Sequence, residues 1–91
     1  MQIHEFQEIM RQLYFKRDFE RGVNGTYSWL VDEVEELGEE IRKGTDLKAT
    51  EKEFADVIAW LASLANIMGI DLETVTDFIR AGHVEKRLDH E

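Results

Sequence analysis

Asp32-Glu33-Val34-Glu35-Glu36 and Glu53-Phe54-Ala55-Asp56 each place two carboxylates three residues apart inside an apolar run. In a helix of 3.6 residues per turn, positions i and i+3 share a side, so each stretch predicts a helix with an acidic edge. A short polar connector between the two runs predicts an antiparallel hairpin, across which Glu33, Glu36, Glu53 and Asp56 face one another. Four such carboxylates repel unless positive charge lies between them, and hard divalent ions favour all-oxygen coordination. The expectation is therefore an all-α frame around a site for Mg²⁺, with Mn²⁺ as a possible substitute.

Outward from the hairpin, the periodicity predicts four helices. Ile3, Phe6, Ile9, Met10, Leu13 and Phe19 recur at steps of three and four and define the first helix, which Arg21-Gly22-Val23-Asn24-Gly25 should end. Thr26 or Ser28 can cap the second, about Thr26 to Lys43, whose apolar stripe is Leu30, Val34, Leu37 and Ile41. Beside that stripe, about 90° round, lie Trp29, Glu33, Glu36 and Glu40. Gly44 closes the second helix, and residues 45–49 form the connector. The third helix, about Thr50 to Met68, has Phe54, Val57, Ile58, Leu61, Ala65 and Met68 on one face and Glu53, Asp56, Trp60 and Ile67 beside it. Counted from the connector, Trp29 and Trp60 fall at the same end of the acid cluster. Gly69 ends this helix, Asp71 caps a fourth, and Leu72, Val75, Phe78, Ile79, Val84 and Leu88 give its apolar pattern.

Ninety-one residues predict one domain, 1–91, with more apolar surface than so small a core can bury, so the bundle should be completed by oligomerisation as a homodimer or homotetramer. Cysteine is absent, which rules out disulfides and thiolate metal sites. The amino terminus has neither a basic nor an apolar targeting segment and no run is long enough to span a membrane, so the expectation is a cytoplasmic protein without a membrane partner. A formal net charge of −9 disfavours a nucleic-acid polymer. A small phosphorylated ligand that carries its own metal ion remains compatible with it.

The plainer account of the acids is a solvated helix face, and Glu53 has a second one as the reach-back member of a Thr50-Glu51-Lys52-Glu53 capping box. Neither explains two pairs beside core positions, nor Asp56. Trp29 and Trp60 are either core residues or a platform on which a base stacks. His4, His83 and His90 are scattered, and the Glu-x-x-His pattern of di-iron bundles is missing.

The pattern Asp32-Glu33-x-x-Glu36, sixteen intervening residues, then Glu53-x-x-Asp56 resembles the signature of the MazG-like, all-α nucleoside triphosphate pyrophosphohydrolases. The likeness extends from Arg21-Gly22 through Trp29-Leu30-Val31 and Glu36-Leu37 to Leu64-Ala65-Asn66 and Gly69-Ile70-Asp71. It implies a four-helix MazG-like bundle in which Glu33, Glu36, Glu53 and Asp56 are the catalytic, Mg²⁺-holding residues; the hairpin register, independently of the resemblance, puts Trp29 and Trp60 where the base of a metal-anchored triphosphate would extend. Water would attack between the α and β phosphorus atoms of a (deoxy)nucleoside triphosphate, releasing the monophosphate and pyrophosphate in nucleotide-pool house-cleaning. Asp32 replaces the family's first glutamate, and Gly82-His83-Val84-Glu85-Lys86-Arg87 follows only loosely the basic pattern of its last helix, from which Lys86 and Arg87 would contact phosphate. The alternatives are a non-catalytic acidic helical interaction module and a nucleotide sensor with the fold but little turnover.

Overall fold

The computed structural model describes residues 1–44 and 46–83. It is all-α: α1 spans Ile3–Lys43, α2 Leu47–Met68 and α3 Leu72–Phe78, followed by a wider helical turn, Ile79–His83. The expected first and second helices are one element bent at Gly22, whose φ of 85° and ψ of 170° leave helical space. A Cβ at Gly22 would meet nothing within 4 Å, so the need for glycine there is conformational rather than steric. A single residue thus turns the chain where a five-residue stop was expected. Thr26 and Ser28 consequently lie inside α1 and cap nothing; Thr26 is fully buried and its Oγ1 accepts from Arg21 Nη1 at 3.4 Å.

At the hairpin, Gly44 closes α1 with φ 64°, and α2 begins at Leu47, three residues before the expected Thr50. The stronger cap is Asp46, whose carboxylate accepts from the backbone N–H groups of Lys48 and Ala49. Thr50 instead donates its hydroxyl to the carbonyl of Asp46, so the capping-box explanation of Glu53 falls away. Asp71 caps α3 as expected, accepting from Glu73 N. The axis turns by 101° between Leu47–Met68 and Leu72–Gly82. The expected fourth helix changes to the wide turn at Ile79, and Val84 and Leu88 lie outside the described residues.

The first arm of α1 packs on the far half of α2 because that half is lined by small side chains: Ala62, Ser63 and Ala65 are all buried. Met10 and Leu72 complete this core, with Phe6 and Ala59 against it. Gln7 fastens the arrangement. Its Nε2 donates to Asn66 Oδ1 at 3.0 Å and to the carbonyl of Ile70 at 2.7 Å, its Oε1 accepts from Leu72 N at 2.8 Å, and Asn66 Nδ2 returns a bond to the Gln7 carbonyl. The apolar stripes of the hairpin are less covered than their periodicity implies. Val34, Ile41, Phe54, Ile58, Leu61 and Met68 are all exposed, because no other described element lies over them. Among the described residues no single helix is long and apolar enough to cross a membrane.

Candidate functional site

The antiparallel pairing of α1 and α2 brings Glu33, Glu53 and Asp56 together, each offering a carboxylate oxygen within 4.8 Å of the others. Oxygens sharing one Mg²⁺ at about 2.1 Å lie at most about 4.2 Å apart, so small side-chain rotations would close this set on an ion. Glu33 Oε2 and Glu53 Oε2 are buried without a hydrogen-bond partner. Orphaned carboxylate oxygens are costly, and a hard cation is the species that satisfies them. The donor set therefore fits a divalent ion.

Electrostatics point the same way. Burial pushes the Glu33 carboxyl up from its ordinary range, followed by the charges of Glu36 and Asp56, a hydrogen bond with Glu36 and the charge of Glu53. Glu53 is raised by partial burial first, then by Glu36, Asp56 and Glu40, against a smaller lowering by Lys43. Glu36 thus stands outside the tight triangle, yet its charge is the strongest acting on both glutamates.

Trp29 lies one turn before Glu33 on α1, and Trp60 one turn after Asp56 on α2. In an antiparallel pair these offsets carry both indoles to one end of the acids, where the rings stack with centroids 5.6 Å apart and planes 12° apart. They touch directly, with no room for a third ring between them. Arg21 lies 4.7 Å over the Trp60 ring, a cation–π contact, and its Nη1 also holds Asp18 Oδ1 at 2.9 Å. Lys86 and Arg87 lie outside the described residues. Arg21 and Asp18 are not among the site residues the sequence predicts, although their i, i+3 spacing signals an ion pair and Arg21-Gly22 belongs to the family-like pattern.

The fold and the site together define an all-α protein whose bent helical hairpin carries paired carboxylates across its seam. The family model of the MazG nucleotide pyrophosphohydrolase domain matches residues 21–86, well over half of the chain, from the bend at Gly22 past both acid pairs. The chain belongs to this family of nucleotide pyrophosphohydrolase domains. No curated protein matches it.

Proposed function

We propose that residues 1–91 act as one domain that hydrolyses (deoxy)nucleoside triphosphates to the monophosphate and pyrophosphate in a Mg²⁺-dependent reaction, clearing the cytoplasmic nucleotide pool. The observation that carries this reading is the Glu33–Glu53–Asp56 triangle with its two orphaned, buried oxygens. Residues before the family match belong to the same unit, since Gln7 and Met10 pack on α2 and α3.

Glu33, Glu53 and Asp56 would hold the ion, with Glu36 beside them. When bound, it would neutralise the cluster and polarise the phosphoryl oxygens of the substrate. Glu36, outside the triangle, is proposed to accept the proton of the attacking water. Lys86 and Arg87 are proposed to neutralise charge on the departing pyrophosphate. The test is a panel of ordinary and damaged NTPs and dNTPs assayed for pyrophosphate. Pyrophosphate from at least one member is expected, whereas a panel without turnover and a melting temperature indifferent to Mg²⁺ would favour an interaction module.

The stacked Trp29–Trp60 pair is proposed to border the nucleoside on one side, because the triphosphate end is fixed at the acids and the indoles lie one turn away. Losing one aromatic contact is worth about 1–3 kcal/mol per base, a tenfold to hundredfold weaker binding. Trp29→Ala and Trp60→Ala should therefore raise KM by about that factor at unchanged Mg²⁺ affinity. If KM stays at the wild-type value in both folded variants, the indoles have only a packing role.

The exposed stripe of Val34, Ile41, Phe54, Ile58, Leu61 and Met68 supports a homodimer or homotetramer. The chain's accessible surface is 7079 Å², against about 5,500 Å² expected for a compact monomer of this mass. Light scattering at micromolar concentration should give twice or four times the chain mass. A stable monomer would remove the oligomer from the account.

A further inference from the structure

Arg21 is the last residue before the bend at Gly22, and its guanidinium reaches three stretches of helix at once. Nη1 donates to Asp18 Oδ1 at 2.9 Å on the first arm and to Thr26 Oγ1 at 3.4 Å beyond the bend, while Cζ lies 4.7 Å from the centre of the Trp60 ring on α2. Both hydrogen-bond partners are buried, Asp18 at 2 % exposure and Thr26 at 0 %. The other ion pairs among the described residues have no side chain less than 20 % exposed. Solvent screens those pairs, whereas the Asp18–Arg21 pair is held in place by packing.

The sequence makes room for this conformation. Gly25 lies one turn after Arg21, and a Cβ there would stand 2.8 Å from Arg21 Cγ and 3.6 Å from Cδ. Cγ is near the root of the side chain, so moving the far end alone would not relieve that clash. Gly25 also differs from Gly22 in having a helical backbone, which alanine would favour. The stem of Arg21 is thus what accounts for glycine at position 25. On its other side the guanidinium meets an indole that is itself stacked on Trp29, with centroids 5.6 Å apart and planes 12° apart. A planar, delocalised cation suits an aromatic ring in a way that the compact ammonium of lysine does not.

We propose that Arg21 is a positioning residue: seated against Gly25 and tethered to Asp18, its guanidinium fixes the Trp29–Trp60 stack at the end of the acid cluster and so sets where that stack meets the nucleoside. Arg21 acts through the indoles and not on the reacting phosphorus. The bend at Gly22 then has a purpose beyond packing, since it delivers the last side chain of the first arm to α2 one turn from Asp56. The part of the inference that concerns the nucleoside rests on the nucleotide reading above. The part that concerns the stack is tested without any substrate.

Two stacked indoles give an exciton couplet in circular dichroism, and Trp29→Phe supplies the spectrum of the full chain without it. Arg21→Lys keeps a charge beside Asp18 but loses the plane. Gly25→Ala keeps every charge, raises helix propensity and displaces the Arg21 stem. Both variants should lose most of the couplet, while Arg11→Lys, at an exposed arginine paired with Glu8, should keep it. On a triphosphate that the wild type hydrolyses, both should raise KM about 3- to 30-fold with kcat and Mg²⁺ affinity nearly unchanged, because the acids stay in place. An Arg21 with only a structural role would instead lower the melting temperature of Arg21→Lys and leave couplet and KM at wild-type values, which would overturn the proposal. A loss of kcat at constant KM would overturn it too, since Arg21 would then act at the chemistry itself. Should Arg21→Lys fail to fold, Gly25→Ala decides alone, and an intact couplet in it ends the proposal. A couplet lost in both variants of a chain that cleaves no triphosphate would leave Arg21 as the residue that sets the stack and sink the nucleotide reading instead.

Discussion

Glu53→Gln and Asp56→Asn should each reduce nucleotide turnover by far more than about a hundredfold, since losing a group that merely supports a metal ligand already costs 10- to 100-fold. Both variants should keep their helical circular dichroism, because neither carboxylate caps a helix or holds the hairpin. Without metal, Glu53→Gln should melt higher than wild type. Glu33 and Glu53 have folded-state pKa values raised above the ordinary 4.5 by burial and by their acidic neighbours. Their ionisation penalty is therefore absent below about 4.5 and grows as pH rises through the raised values, so metal-free wild type loses stability in that direction. Glu8 works with the opposite sign. Its carboxyl is held at about 2 by Arg11, so its stabilisation is complete above 4.5 and lost only as pH falls toward 2. Its side chain is half-exposed, and its titration lies outside the window that matters here. Thermal melts of both proteins at pH 4.5 and 7.5 make the comparison. A gap that opens at the higher pH and narrows when Mg²⁺ is added supports the site; full activity in either variant would remove these residues from the chemistry.

Gln7→Leu should be the most damaging single change outside the acids. It removes the side-chain partner of Leu72 N, of Asn66 Oδ1 and of the Ile70 carbonyl at the joint between the first arm of α1, the end of α2 and the start of α3. Each buried polar group left unpaired costs about 1–3 kcal/mol, so a total of about 3–5 kcal/mol is expected. That is a large share of a stability of about 5–15 kcal/mol, and it corresponds to a fall in Tm of about 15–30 °C for a chain of this size. Gln12→Leu is the control, since Gln12 is exposed and donates only to Glu8 at 3.2 Å. It should change stability by about 0.5 kcal/mol or less. Equal losses in the two variants would mean that the Gln7 network holds nothing together.

The fold class was legible from the sequence because the hairpin's heptad-like spacing, its closing glycines and the Asp71 cap are all local signals. The bend was placed in the right five residues but read as a stop. A glycine that merely redirects a helix and one that ends it look alike until the packing of the two arms is known. Asp46 won over Thr50 as the cap of α2 because three extra residues could join the helix, which an apolar pattern starting at Phe54 does not reveal. The acid cluster was readable from spacing alone. Its internal order, with Glu36 beside a tight triangle of Glu33, Glu53 and Asp56, depends on side-chain reach across the seam. Arg21 over Trp60 and the half-matched Asp18 were not readable, since both depend on how the first arm of α1 crosses α2 after the bend.

The central claim is that the carboxylate triangle supports metal-dependent cleavage between the α and β phosphorus atoms. Phosphorus-31 NMR of a triphosphate that the chain accepts, followed first with Mg²⁺ and then with excess chelator, addresses both parts at once. The account predicts growing resonances of the nucleoside monophosphate and pyrophosphate with Mg²⁺, and arrest when the ion is chelated. Inorganic phosphate with the nucleoside diphosphate, or cleavage that continues unchanged after chelation, would contradict it.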